Sequence, residues 1–155
     1  MIPKKVTKPR QRKQHTADEF NLDVLSSDMD LFRWFLLCLL FGKPIQSGVA
    51  VATWRIFIEM KLDTPWAILD ISEHGLVRVL HQGGYTRYQH VTAHALRVCM
   101  EQLVRDYDGS LLLMLDSSQD ETEFSKRIQK LHGVGPKVAE IFTRETEEYF
   151  ARRVE

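Results

Sequence analysis

The chain has 155 residues, of which 44% are hydrophobic and 27% are charged, a composition that suits one globular domain with a packed core. Its formal net charge is zero, but residues 1–13 carry six of the 21 Lys and Arg residues and no acid, so the remainder is net acidic. Two cysteines are too few to hold an iron–sulfur cluster, and the apolar run of residues 34–41 is too short to cross a bilayer.

The first segment of the chain is a basic arm, residues 1–15. Such a concentration of positive charge suits binding to nucleic acid or another anionic surface. The same composition also fits a disordered, solubilising tail. We expect residues 16–155 to form one domain of a soluble intracellular protein, located in the cytoplasm or on the nucleoid, without a membrane partner.

Nearly every later segment has a helical pattern. Residues 16–19 match a capping box, which predicts a short helix from Ala17. Residues 26–42 are apolar on most sides and predict the central, most buried helix. Further helices are predicted within residues 43–61, where the apolar spacing starts at Val49, and in residues 64–70, 72–83, 86–109, 109–115, 117–131 and 136–151. The helix of residues 117–131 is expected to start at Ser117 or Ser118. No segment alternates with the period of a strand, so we predict an all-α domain of about eight helices.

Residues 131–137, Leu-His-Gly-Val-Gly-Pro-Lys, join two helical patterns through a very short connection. A turn this tight needs backbone angles that glycine adopts at little cost, and Pro136 suits the first turn of the next helix. The amides of Gly133, Val134 and Gly135 are expected to point outward at a helix N-terminus, which favours an anion such as a DNA phosphate. Val134 is expected to pack inward. A plain turn between two helices explains the same residues.

The full string resembles the helix-hairpin-helix motif, which holds DNA phosphates without reading sequence. Its matching residues are Leu131, Gly133, Val134, Gly135, Lys137 and Ala139. The order of motifs from Asp28 to Phe142 also resembles the core of the helix-hairpin-helix DNA glycosylase superfamily, most nearly its endonuclease III branch. These motifs include a helix ending in Leu-Leu, an Ala-Thr pair in the next helix, and a Gly-Tyr turn leading to Arg87. The resemblance implies binding to damaged or abasic duplex DNA in base-excision repair.

In bifunctional members of that family a lysine just after the hairpin is the nucleophile, and Lys137 stands at that place. The resemblance therefore implies a DNA glycosylase or abasic-site lyase whose amine forms a Schiff base with the sugar. The family's essential aspartate lies past the following helix in a loop that this chain lacks, because residues 138–155 contain no Asp, Gly or Pro. Counted without gaps, its place falls on or near Glu155, which is therefore the second catalytic candidate.

The family also inserts a side chain into the gap left by a flipped base, from the loop after the Leu-Leu helix. Lys43 and Gln46 are the candidates in this chain, with an ordinary exposed loop as the equal alternative. Arg87 is a further DNA-binding candidate, since the start of the long helix could face the DNA. No cofactor is expected, because the cluster-bearing part of the family is missing. His90 and His94 have the spacing of a zinc pair, but no third ligand is suggested nearby.

Three functions therefore stay open. The first is a small glycosylase or abasic-site lyase, and the second is a DNA-binding module of the same fold without chemistry. The third is a helical protein-interaction domain that keeps the hairpin only as a tight turn, an option that the net-acidic domain favours. The missing aspartate favours the second over the first, whereas Lys137 and the glycine turn favour the first two over the third.

Overall fold

A computed structural model describes residues 15–154, so Glu155 and all but the last residue of the predicted arm lie outside the described residues. The described part is one all-α domain with no strand, which confirms the predicted fold class. Its elements are a 3₁₀ turn (Ala17–Phe20), α1 (Asp28–Phe41), α2 (Ser47–Glu59), α3 (Pro65–Asp70), α4 (Glu73–Gln82), α5 (Gln89–Tyr107), α6 (Leu111–Ser117), α7 (Glu121–Gln129), α8 (Pro136–Arg144) and α9 (Glu147–Val154).

Helix α1 is the centre of the core, as its sequence predicts. Ser27 caps it by accepting a hydrogen bond from the N–H of Asp30 at 3.2 Å, and eight of its side chains are buried. Trp34 is fully buried, and its Nε1–H donates to the carbonyl of Phe142 in α8 at 3.4 Å. An edge-to-face contact between Phe35 and Phe142, with ring centres 5.2 Å apart, adds to the same α1–α8 packing.

Several predicted helix starts are confirmed, and one is wrong. Thr64 and Ser72 cap α3 and α4 by accepting from the N–H groups of Ala67 and Gly75. Helix α7, however, begins at Glu121 rather than at the two serines, because Asp120 is its N-cap and accepts from the N–H of Glu123 at 2.8 Å. The two serines end α6 instead, where each hydroxyl donates to the carbonyl of Met114.

The last predicted helix is two helices. Thr146 is buried at the break, and its N–H and hydroxyl both donate to the carbonyl of Thr143, which ends α8 with a tight turn. The neighbouring Glu145 reaches across the domain and accepts from the N–H of Ala17 at 2.9 Å. That contact caps the 3₁₀ turn, where the expected capping bond from Thr16 is not formed.

The tryptophans are not equivalent. Trp34 and Trp54 lie in the core, as their apolar patterns predict. The apolar helical pattern around Trp66 predicts a core position for it as well, but this prediction is wrong, because Trp66 is 52% exposed and lies against Gly109. It is the second residue of α3, where the flanking Pro65 and Ile68 are the residues that face inward.

Candidate nucleic-acid interface

The connection between α7 and α8 is held by two buried side chains. Leu131 and Val134 are 4% and 6% exposed, and the N–H of Val134 donates to the carbonyl of Leu131 at 3.1 Å. Gly133 stands between them with φ of +86°, a left-handed conformation that favours glycine. The inward packing expected of Val134 is therefore present.

The amides of this turn differ from the expectation in one respect. The N–H of Val134 donates to the carbonyl of Leu131 inside the turn, so the expectation that this amide points outward is wrong. Among the described residues, no acceptor lies within hydrogen-bond distance of the N–H of Gly133 or of Gly135. These groups and the first-turn amides of α8 remain available to an anion, and the helix dipole adds to the attraction.

Gly135 lies in open space and does not need glycine for its backbone angles. It lies in extended conformation, with φ of −90° and ψ of −178°, which any residue can adopt. A Cβ built on it would meet nothing within 4 Å. The expectation that both glycines serve the backbone conformation of the turn therefore holds for Gly133 only. Glycine at 135 leaves the N-terminus of α8 uncovered.

Helix α5 supports the turn from the side. The Gln102 side chain accepts from the N–H of His132 at 2.7 Å and donates to the carbonyl of Lys130 at 3.2 Å. A Cβ built on Gly133 would lie 3.5 Å from the Cβ of Ala95, which is ordinary van der Waals contact. The turn is thus held against one side of α5 by the two hydrogen bonds of Gln102 and by the close packing of Gly133 on Ala95.

The loop between α1 and α2 reaches the same region. A Cβ built on Gly42 would lie 2.9 Å from Cγ2 of Val138, so the end of α1 is closely packed against the first turn of α8. The next residue, Lys43, places its Nζ 5.7 Å from the centre of the Tyr88 ring. The guanidinium of Arg87 lies 5.5 Å from the same ring, so Tyr88 has two cations beside it.

These contacts place two groups of candidates along one side of α5. Tyr88, the N-cap, and Ala95 are seven residues apart, which is two helical turns, or roughly 10 Å along the axis. Lys43 lies at the first position and Gly133 at the second. We call this surface the hairpin face, and it consists of Lys43, Arg87, His132, Gly133, Gly135 and Lys137.

The remaining wedge candidate is less constrained. Gln46 is the N-cap residue of α2, is exposed, and makes no capping bond with its side chain. It lies three residues after Lys43 in the same loop, but no contact joins it to the hairpin face. Lys43, which is partly buried and lies beside Tyr88, is the better placed of the two.

Lys137 is exposed on the first turn of α8, two residues after Gly135. No carboxylate of the described residues lies within ion-pair distance of its amine. Its proposed partner Glu155 lies outside the described residues. The described part of α9 is held at the other end of α7, where Arg153 donates to the carbonyl of Ser118 at 2.7 Å and Tyr149 donates to Asp116.

Gln102 and a histidine pair are parts of this region that the sequence did not indicate. The Nδ1 of His94 lies 2.8 Å from Oε1 of Glu73, and its ring centre is 6.3 Å from that of His132. His94 thus pairs with an acid on α4 rather than with His90. Residues 88, 91, 95 and 102 lie on one side of the long helix by their spacing, and this spacing is the sequence pattern that could have indicated the surface. In the described part of the chain no group of three or more His, Cys, Asp or Glu side chains is suited to a metal ion.

Both cysteines are buried in the core, as their positions in apolar helical runs predict. Burial raises the pKa of the Cys99 thiol to about 12. Burial, with a smaller contribution from the Glu145 carboxylate, raises the pKa of Cys38 well above its ordinary value. Neither thiol is a nucleophile at neutral pH, and neither belongs to the hairpin face.

Comparison with known proteins assigns no family. No family model matches the chain, and neither a curated protein nor a solved structure matches it. Within residues 15–154, no helix has both the length and the apolar content needed to span a bilayer.

Proposed function

We propose that this chain binds the backbone of duplex DNA through the hairpin face, in a role similar to base-excision repair. The observation that carries the proposal is that the N–H groups of Gly133 and Gly135, which make no hydrogen bond among the described residues, belong to the same hairpin face as three cationic side chains. These are Lys43, Arg87 and Lys137. Backbone amides at a helix N-terminus together with Lys and Arg are the groups that contact phosphates without reading bases. The resemblance to helix-hairpin-helix DNA glycosylases supports the same reading.

The dimensions of the face support a contact with several phosphates. The separation of roughly 10 Å along α5 corresponds to about three steps of 3.4 Å measured along the axis of the duplex. Acidic side chains lie at the other end of α7, whose first turn contains Glu121 and Glu123. With a helix of nine residues, that end is roughly 13 Å from the turn. These two acids therefore lie away from the open amides.

A second candidate function is cleavage at abasic sites with Lys137 as the nucleophile. Its exposed amine, free of carboxylates in the described residues, lies within two residues of the Gly135 amide that would hold a phosphate. The amine would add to the aldehyde carbon of the ring-opened sugar, and loss of water would leave an imine. Loss of a proton from C2′ would expel the 3′ phosphate, and hydrolysis of the imine would release the lysine. This reaction needs no pocket for a damaged base.

Binding is tested by fluorescence anisotropy with a labelled 20-bp duplex at low salt, where phosphate contacts are strongest. The informative variant is Gly135→Glu. Its carboxylate would cover the open amides and repel a phosphate, and the extended backbone at this position accepts the side chain without strain. We expect its Kd to rise at least tenfold. Gln119→Glu introduces the same charge on an exposed residue outside the hairpin face and is expected to bind like the wild type. Equal Kd values for Gly135→Glu and wild type would overturn the proposed interface.

Chemistry is tested by borohydride trapping on a duplex with one abasic site. A covalent adduct is expected with the wild type and with Lys126→Ala, which removes an exposed lysine of α7 outside the hairpin face, and not with Lys137→Ala. Lys137→Ala should keep most of its DNA binding, since the amides and the other cations remain. Binding without an adduct in the wild type would leave the DNA-binding module and exclude the lyase. If an adduct forms, comparison with Glu155→Gln tests whether that carboxylate assists.

A further inference from the structure

Three large apolar side chains from distant parts of the sequence are exposed to solvent. Met29 of α1, Trp66 of α3 and Leu113 of α6 have exposed fractions of 47%, 52% and 47%. A single exposed apolar residue is ordinary, whereas several on one surface mark a place where a protein binds a partner. We call these three residues the apolar patch, and the contacts between their helices decide whether they share a surface.

Helices α3 and α6 meet at the end of α5. The Trp66 ring rests on Gly109, where a Cβ built on the glycine would overlap the ring. The next residue, Ser110, is the N-cap of α6, and its hydroxyl accepts from the N–H of Leu113 at 3.0 Å. Trp66 and Leu113 are therefore joined through a connection of two residues, each of which contacts one of them.

Helix α1 reaches the same surface through two contacts. The N–H of Leu112 donates to Oδ1 of Asp28 at 3.1 Å, so the neighbouring Met29 lies beside the start of α6. One turn later on the same side of α1, Arg33 donates to Oδ2 of Asp63 at 2.8 Å, in the connection that leads into α3. The start of α1 is thus bonded to the elements that carry both other members of the apolar patch.

The surroundings of the apolar patch carry negative charge that is not neutralised. Asp70 ends α3, one turn after Trp66, and Asp108 directly precedes the glycine under the Trp66 ring. Both aspartates are exposed, and neither has an ion pair in the described part of the chain. The arginines of this region are already paired with acids, Arg33 with Asp63 and Arg105 with Asp106. A partner that covers the apolar patch therefore needs positive charge at its edge.

We propose that the apolar patch binds a basic amphipathic helix of a partner protein. The apolar face of such a helix packs on Met29 and Leu113, and a Lys or Arg side chain lies over the Trp66 ring, near Asp70 and Asp108. Tryptophan is among the residue types that contribute most to protein interfaces. This inference does not rest on DNA binding, because the patch and Tyr88 lie at opposite ends of α5, roughly 30 Å apart along its axis.

The test measures binding of the full-length chain to a synthetic peptide by fluorescence anisotropy at low salt. The probe is a labelled peptide of about 18 residues, or five helical turns, with Leu on one face and Lys at all other positions. A peptide with the same pattern and Glu in place of Lys is the comparison. We expect the Leu/Lys peptide to bind at least about tenfold more tightly than the Leu/Glu peptide.

Four variants locate the binding surface. Trp66→Ser and Leu113→Ser are each expected to weaken binding of the Leu/Lys peptide by about tenfold. Asp108→Asn removes one charge but keeps the left-handed C-cap of α5, which Asn tolerates, and should weaken binding about threefold. Val91→Ser changes a residue that is also 52% exposed but lies outside the apolar patch, so it should bind like the wild type.

Tryptophan fluorescence of the wild type gives a measurement that needs no variant. Trp34 and Trp54 are 0% and 3% exposed, whereas Trp66 is 52% exposed, so quenching by acrylamide reports mainly on Trp66. Saturation with unlabelled Leu/Lys peptide should protect this ring and lower the quenching constant about twofold or more. Quenching that stays the same while the peptide binds would place the peptide elsewhere and overturn the proposal.

Three further results would overturn the proposed partner. The first is the absence of binding of the Leu/Lys peptide, and the second is equal binding by the wild type, Trp66→Ser and Leu113→Ser. The third is a dimer of the chain alone, seen by sedimentation equilibrium and lost in both serine variants. That result would assign the apolar patch to a second copy of the chain. None of these results bears on the hairpin face, whose test uses DNA.

Discussion

Gln102 binds the backbone on both sides of Leu131. Its Oε1 accepts from the N–H of His132 at 2.7 Å, and its Nε2 donates to the carbonyl of Lys130 at 3.2 Å. The residue lies on α5, about 30 positions earlier in the chain, so these bonds join the long helix directly to the turn before α8. The position of the open amides therefore depends on a side chain that does not belong to the hairpin.

Replacing Gln102 with Ala is expected to loosen this turn. Two hydrogen bonds at a partly exposed site are lost, which should lower the free energy of unfolding by about 1–2 kcal/mol. Hydrogen exchange of the His132 amide should accelerate, because its acceptor is gone. Gln129→Ala, which removes only an exposed bond to Ser125 on α7, should change stability by no more than about 0.5 kcal/mol. An unchanged hydrogen-exchange rate of the His132 amide would contradict the hydrogen bond to Gln102.

The two glycines of the turn should respond differently to alanine. Gly133 has φ of +86°, so Gly133→Ala is expected to lower stability by about 1–2 kcal/mol. Gly135 is extended and open, so Gly135→Ala should stay within about 0.5 kcal/mol of the wild type, since poorer capping offsets the smaller entropy of the unfolded chain. Urea unfolding of both variants measures this difference. Equal losses would show that the turn does not have the angles described.

The sequence predicted the fold class because apolar periodicity and caps are local signals. Helix α1 and the starts of α3 and α4 followed from residues within a few positions of each boundary. The break between α8 and α9 did not, because Thr146 ends α8 in a place where helix propensity alone allows continuation. The capping of the 3₁₀ turn by Glu145 joins residues 128 positions apart, which no local pattern contains.

The candidate site could likewise be predicted from the sequence only in part. The open amides of Gly133 and Gly135 could be predicted from a glycine-rich turn before a proline. The use of the Val134 amide inside the turn depends on which neighbour packs inward and accepts, which the residue types alone do not determine. The contact of Lys43 with Tyr88 and the hydrogen bonds of Gln102 to the turn depend on how α1, α5 and the turn pack together in three dimensions.

A second pair of glycines tests the packing of α2. A Cβ on Gly83 would lie 2.6 Å from the Cα of Thr53, so Gly83→Ala must push the end of α4 away from α2 and should cost about 1–3 kcal/mol. Gly48 lies near the start of α2 with nothing within 4 Å of a Cβ. Gly48→Ala is expected to raise stability by about 0.5–1 kcal/mol. Thermal unfolding of the two variants should therefore shift in opposite directions, and shifts of the same sign would contradict the described contact.

The buried thiols should make stability fall at alkaline pH. The pKa of Cys99 is about 12 in the folded protein, well above the range of a thiol in an unfolded chain. As the pH rises past the unfolded value, the unfolded state loses this proton first and is favoured. The contribution is therefore complete below the unfolded pKa and is lost as the pH approaches 12. By pH 10, Cys99 alone should lower the free energy of unfolding by about 1–2 kcal/mol relative to pH 7.

Urea unfolding at pH 7, 8, 9 and 10 measures this effect for wild type and for Cys99→Ala. Cys99→Ala is expected to be less stable at pH 7 because it leaves a cavity, and its stability should fall less steeply with pH. Lysine and tyrosine side chains titrate in both proteins, so their contributions cancel in the comparison. Iodoacetamide at pH 8 should leave both native thiols unmodified and react with both in urea. Parallel pH curves for the two proteins, or rapid alkylation of the native chain, would contradict the burial of Cys99.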